Sequence, residues 1–179
     1  MPLVIITDCD HGTIAPEEAV LRAAGVEYRL HQAKSEDEVI ALAQDADAIL
    51  LQYAPITGRV LDGLPRCRAA VRYGVGVDTV DLAAATERGV VVANVPDYCM
   101  EEVSDHALAM GLALWRGVVL YDRAIRGGTW NATMKTPMTR LRGKVAGVIG
   151  LGRIGACFAQ KIAGVGMTVI GYDPYLAAL

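Results

Sequence analysis

The clearest chemistry in the chain lies in Gly150-Leu151-Gly152-Arg153-Ile154-Gly155, which has the spacing G-x-G-x-x-G. The motif follows the β-branched run Val-Ala-Gly-Val-Ile at 145–149 and opens a helical pattern. A second strand pattern then ends at Asp173, 23 residues beyond Gly150. Each residue type has a physical task in that arrangement. Gly150 permits a tight turn, Gly152 carries no side chain to obstruct a phosphate, and Gly155 lets a helix pack close to a strand. The N-terminus of the helix that follows offers backbone N–H groups and a partial positive charge to a phosphate. Asp173 can accept hydrogen bonds from ribose hydroxyls and would repel a 2′-phosphate, so the expected ligand is NAD rather than NADP. The plain alternative is a glycine-rich turn that binds nothing.

Other residues could do chemistry but have ordinary readings beside them. Asp8-Cys9-Asp10-His11 has metal-ligand types after a strand, yet four consecutive residues cannot all point at one ion. Glu102 and His106 are four apart, which suits an acid–base pair or a simple i,i+4 contact. Arg72, beside a glycine turn, could assist an anion or lie on the surface. Trp115 and Trp130 are expected to pack near a long helix and the connection after it. The four cysteines form no C-x-x-C pair, so neither a disulfide framework nor a zinc site is expected.

The elements that must position these residues alternate strand and helix. Strands are expected near 3–7, 26–30, 48–52, 69–72 and 90–93, with helices near 16–24, 35–44, 57–63 and 81–88 between them. Ser35 followed by Glu38 reads as a capping box. Five such strands imply an open parallel sheet with helices on both faces. One long apolar helix is expected from Glu101 to about Arg126, buried or crossing between layers. The stretch 127–143 has no periodicity and reads as a surface connection. Strands near 144–149 and 168–172 flank a helix over 154–163, making one βαβ unit. The fold class is therefore α/β, divided at 1–98 and 99–179.

Composition adds exclusions. A net charge of −3 gives no electrostatic footprint for nucleic acid or an anionic membrane. No apolar run reaches the roughly 18–20 residues that span a bilayer. The N-terminus lacks a basic leader and a cleavage site, so a cytoplasmic location is expected.

Three motifs together resemble the D-isomer-specific 2-hydroxyacid dehydrogenases over the whole chain. They are Arg72-Tyr73-Gly74-Val75-Gly76-Val77-Asp78-Thr79-Val80-Asp81, then Asn94-Val95-Pro96 with Glu101-Glu102-Val103-Ser104-Asp105-His106, then the glycine fingerprint with Tyr172-Asp173-Pro174-Tyr175. Details of the second and third resemble the branch that includes the corepressor-like C-terminal binding proteins. The resemblance implies a flavodoxin-like substrate domain, a crossing helix and the first βαβ unit of a Rossmann domain, with NAD in the cleft beside a 2-keto or 2-hydroxy acid. It implies that Gly74, Val75 and Gly76 hold the substrate carboxylate through backbone N–H groups, a chemistry suited to a glycine-turn nest. Val75 and Val103 match positions that touch the cofactor in relatives, although plain packing fits both equally well. Arg153 and Ile154 match residues along the pyrophosphate, and Asp173 matches the ribose acid.

The family's catalytic arginine, glutamate and histidine come from beyond the second Rossmann strand, so no catalytic residue is expected among these 179. The chain by itself is then expected to be inactive, and its βαβ unit to expose apolar faces and be mobile. A homodimer through the crossing-helix region is implied. Two function classes follow. One is an NAD-dependent oxidoreductase reducing a 2-keto acid by hydride transfer; the other is a non-catalytic NAD-binding or corepressor-like interaction module on the same fold.

Overall fold

The computed structural model describes residues 1–130 and 138–176. The chain divides into two compact units, Met1–Tyr98 and Cys99–Leu179.

The first unit runs β1 (Leu3–Ile6), α1 (Ala15–Ala23), β2 (Glu27–Leu30), α2 (Glu36–Ala43), β3 (Ala48–Leu51), α3 (Gly58–Asp62), β4 (Ala69–Arg72), α4 (Leu82–Glu87) and β5 (Val91–Ala93). Its strands form one parallel sheet in the order β2-β1-β3-β4-β5, the doubly wound flavodoxin-like order. Interior strand β1 is buried along its whole length, whereas edge strand β2 shows Glu27 and Arg29 to solvent. Charges on an open edge discourage pairing with another sheet. Alternate residues Leu3, Ile5, Ile49, Leu51 and Ala70 enter one core with Val39 and Ala43 of α2, Val60 and Leu61 of α3, and Ala84 and Ala85 of α4. Val4 and Ile6 face the opposite side, to which α1 contributes no buried residue.

Side chains rather than propensity fix where the helices start. Ser35 accepts the Glu38 N–H, and the Glu38 carboxylate reaches back to the Lys34 N–H at 2.6 Å, one residue earlier than a regular capping box. Thr57 and Asp81, expected inside helices, are instead the N-caps of α3 and α4.

Two carboxylates tie strand ends together. Buried Asp8, after β1, accepts the N–H groups of Gln52 at 3.0 Å, Tyr53 at 2.5 Å and Ala54 at 3.3 Å after β3, and the Thr7 hydroxyl at 2.9 Å. Asp47, before β3, accepts the Leu3 N–H at 2.8 Å and the Arg66 guanidinium at 2.8 Å.

The second unit contains α5 (Met100–Trp115), α6 (Val118–Arg126), β6 (Val145–Ile149), α7 (Arg153–Gly164) and β7 (Thr168–Tyr172). The single long helix expected over 101–126 is two helices. Gly117 takes a left-handed φ of 64°, and the Arg116 and Gly117 N–H groups close onto Leu112 and Leu114 carbonyls. Neither helix is buried in its unit: Ser104 is the buried residue of α5, and α6 has none. Trp115 does meet the following connection, donating from Nε1 to the Thr139 carbonyl at 2.9 Å. Trp130 is 86% exposed, which corrects its expected packing. Residues 131–137 of that connection lie outside the described residues. β6 and β7 pair in parallel across α7, with Val148, Ile162 and Met167 buried between them and Ile149, Ile170 and Tyr172 exposed.

Two outcomes follow for the first unit. Asp8→Ala leaves three strand-end N–H groups without their acceptor and should cost about 2–4 kcal/mol in urea unfolding. The Leu3 N–H and then Arg66 hold the Asp47 carboxyl below its ordinary 3.8. A depressed native value contributes stability above the ordinary carboxylate range, and that stability is lost as pH falls through the native value. Asp47→Asn should therefore lower the urea midpoint at neutral pH and flatten its decline below about pH 4.

Candidate functional site

Parallel sheets gather their binding loops at the strands' C-terminal ends, and the first glycine turn leaves β4 there. The Tyr73 N–H continues the ladder to the Leu51 carbonyl at 2.8 Å, and Gly74 then takes a φ of 147°. The three following carbonyls are all occupied by protein donors. Gly74 O accepts the Val95 N–H at 3.0 Å, Val75 O accepts Asn94 Nδ2 at 2.6 Å, and Gly76 O accepts Arg72 Nη1 at 3.1 Å. The N–H groups of Val75 and Gly76 have no acceptor among the described residues. A turn whose oxygens point inward and whose N–H groups are left over can receive an anion.

Arg72 is resolved by the same geometry. It is half-buried, its Nε donates to the Gln52 carbonyl at 3.3 Å, and its guanidinium lies directly behind the turn. The φ of 147° favours glycine at this position, and a Cβ on Gly74 would stand 2.2 Å from Arg72 Nη1 and displace the guanidinium. Asn94 and Val95 have no evident task in the sequence beyond belonging to a motif. Their task is to hold the turn from just beyond the neighbouring strand β5, a signal the sequence offers only as the fixed distance between two motifs.

Asp8-Cys9-Asp10-His11 disperses to separate partners. Asp8 serves the end of β3, and Asp10 exchanges hydrogen bonds with the Gln52 side chain. The Cys9 carbonyl accepts Gln32 Nε2, and His11 meets the Tyr73 ring edge-on. Among the described residues no group of three His, Cys, Asp or Glu side chains is placed to hold a metal. His106 is exposed and makes no hydrogen bond with Glu102 among the described residues.

The second turn lies in the other unit, between β6 and α7. Gly150 has a φ of 86°, and its N–H extends the strand pairing to the Tyr172 carbonyl at 2.7 Å. A Cβ on Gly155 would overlap the Gly150 carbonyl oxygen at 1.9 Å, so this glycine lets the helix close on the turn. A Cβ on Gly152 would meet nothing within 4 Å, so the space in front of it is open. Gly152 is the N-cap of α7 and supplies no side-chain cap to the first turn, which contains Arg153, Ile154 and Gly155. At the end of β7, Asp173 accepts the Leu151 N–H at 2.8 Å and the Tyr175 N–H at 2.9 Å. Those bonds orient the carboxylate beside the turn and leave it further acceptor capacity.

In the same unit Lys161 of α7 draws α5 to it. Its ammonium lies 2.6 Å from Glu101, 2.5 Å from Asp105 and 2.8 Å from the buried Ser104 hydroxyl. Asp105 and Glu101 push the lysine up, and Lys161 holds Glu101 down. Val103, on this turn of α5, is 44% exposed, and Val75 in the first unit is 36% exposed. Neither is packed into its own unit's core.

A family model described as D-isomer specific 2-hydroxyacid dehydrogenase, catalytic domain, matches residues 4–173. The chain is 38% identical to D-3-phosphoglycerate dehydrogenase of Mycobacterium tuberculosis over 178 residues, 99% of this chain and 33% of that protein. It thus spans about a third of the length of such relatives. The TT0316 protein of Thermus thermophilus superposes with a TM-score of 0.84 at 28% identity, covering 100% of this chain and 58% of that one. An NAD-dependent formate dehydrogenase from Staphylococcus aureus, solved in complex with NAD, gives 0.79 at 27% identity, covering 98% and 57%. None of these three carries a name from the corepressor-like branch. On the match over residues 4–173, the chain belongs to the D-isomer specific 2-hydroxyacid dehydrogenase family.

Proposed function

We propose that this chain forms the carboxylate-binding and adenine-side parts of an NAD-dependent D-2-hydroxyacid dehydrogenase. The observation that carries the reading is the contrast at the fingerprint: Gly155 is closed by the Gly150 carbonyl, while Gly152 faces open space. That is the shape of a turn built to pack a helix on one side and admit a pyrophosphate on the other. The N–H groups of α7's first turn, with Arg153 and Ile154, would hold the pyrophosphate, and Asp173 the adenosine ribose. Val75 and Val103, exposed in their units, would supply apolar contact to the cofactor. Bound there as NADH, the cofactor would supply the hydride that reduces C2 of a 2-keto acid, and as NAD it would accept one from a 2-hydroxy acid.

The N–H groups of Val75 and Gly76 would hold the carboxylate of a small 2-keto or 2-hydroxy acid, with the Arg72 guanidinium behind them. Reduction of the keto acid also needs a proton donor. By the resemblance, that donor and the substrate arginine come from residues other than these 179, so turnover is proposed for the full-length protein and not for this stretch alone. Among the described residues no helix is long and apolar enough to cross a membrane, and the proposed location is the cytoplasm. Exposed Met110, Leu114, Val119 and Leu120 rim a cavity of about 450 Å³ where α5 meets α6. That apolar face supports a homodimer through this region.

Two glycine variants of the full-length protein test the reading. Gly152→Ala should keep the thermal midpoint and weaken NAD binding by about tenfold or more in a fluorescence titration, because its methyl fills the ligand's space. Gly155→Ala should lower the stability of the second unit by about 2–3 kcal/mol through backbone overlap, with or without NAD. Equal NAD affinity in wild type and Gly152→Ala would remove the fingerprint from the site.

A further inference from the structure

Glu17 Oε2 and the Tyr73 hydroxyl are both buried, and no other described group bonds to either. The two are complements, since a phenol can donate and a carboxylate can only accept. Burial, then the Glu17 carboxylate, pushes the phenol far above its ordinary range, so Tyr73 keeps the proton it would donate. A second contact joins the same two parts of the chain. His11, on the loop that leads from β1 into α1, meets the Tyr73 ring at 5.4 Å with the planes 84° apart.

Glu17 has an ordinary reading. It lies with Glu18 in the first turn of α1, where a carboxylate suits the helix dipole. Glu18 fits that reading and pairs with Arg22, one turn along the helix, at 3.8 Å. Glu17 departs from it by turning an oxygen into the interior, where a carboxylate oxygen without a donor is costly. No residue of α1 is buried as a whole, so apolar packing does not account for that inward turn.

Tyr73 is the residue by which β4 enters the first glycine turn. Its N–H makes the last rung to Leu51, and the Gly74 N–H then closes on the Arg72 carbonyl at 3.0 Å. The carbonyls of the turn are held by Val95, Asn94 and Arg72. The Tyr73 side chain adds a support from another quarter, the start of α1.

We infer that the Tyr73 hydroxyl and the Glu17 carboxylate form a hydrogen-bonded pair that fixes the entry to this turn, which makes both of them positioning residues for the carboxylate of the 2-keto acid. They act through the backbone N–H groups of Val75 and Gly76. The inference rests on the dehydrogenase reading above.

Steady-state rates with NADH and the full-length protein test it on glyoxylate, pyruvate and hydroxypyruvate, using the acid with the highest kcat/KM. Tyr73→Phe removes one oxygen and keeps the ring. It should raise KM about tenfold while kcat and the NAD dissociation constant stay within about twofold, as expected for lost positioning of the bound acid. Glu17→Leu should do the same, whereas Glu17→Gln, whose amide oxygen still accepts from the phenol, should keep KM within about threefold of wild type. The double variant of Tyr73→Phe and Glu17→Leu should also stay near a tenfold rise, because each change removes the same contact. An unchanged KM in either folded single variant overturns the positioning role, whatever the thermal midpoint does. A rise of about a hundredfold in the double variant shows two separate effects and overturns the pair. Both outcomes leave the dehydrogenase reading standing. A wild-type protein that binds NAD and reduces none of the three acids overturns that reading and this inference with it.

Discussion

The Asp8 carboxylate is the contact on which the first unit's site depends. Strand pairing brings β1 beside β3, but it does not say how the chain leaves the sheet. Asp8 does, by collecting three consecutive N–H groups just after β3. That fixes Gln52, whose carbonyl receives Arg72 and whose side chain engages Asp10. Arg72 in turn holds the Gly76 carbonyl. The glycine turn is thus supported through a chain of hydrogen bonds that begins at the adjacent strand's end.

The two glycine turns reach the same capacity by different means. In the first, three separate donors from Val95, Asn94 and Arg72 occupy the carbonyls, and the N–H groups are what remains. In the second, the regular start of α7 leaves N–H groups without a side-chain cap, because the N-cap is glycine. The first needs long-range partners across the sheet and a guanidinium behind it. The second needs only local sequence, and this difference governs how visible each is.

The local turn is therefore fully legible: glycine spacing, flanking strands and the acid at 173 are all sequence-near. So are the strands, because β-branched runs in a buried parallel sheet leave little ambiguity. The stretch 101–126 reads as one helix because its apolar residues continue through Gly117, and hydropathy does not register a left-handed glycine. Asp8 reads as a possible metal ligand because its true partners lie more than forty residues away in Gln52, Tyr53 and Ala54. Arg72 is ambiguous for the same reason: its acceptors are carbonyls, which no sequence pattern marks. Nothing in the sequence singles out Lys161, since its acidic partners sit on a different helix.

Lys161 shows how charge can act where a core cannot. The second unit buries few apolar side chains, and α5 begins at Cys99 in a left-handed conformation with no side-chain cap. Its start is held from outside instead. Glu101 lies in the first turn of α5 and Lys161 in the last turn of α7, so each charge stands at the helix end whose dipole favours it. Their meeting closes over the fully buried Ser104 hydroxyl, which also bonds the Met100 carbonyl at 2.7 Å. One face of α5 is thereby committed to α7. Val103, a single residue earlier and about 100° around the helix, is left facing away from that clamp, which is why an apolar side chain at this position stays exposed.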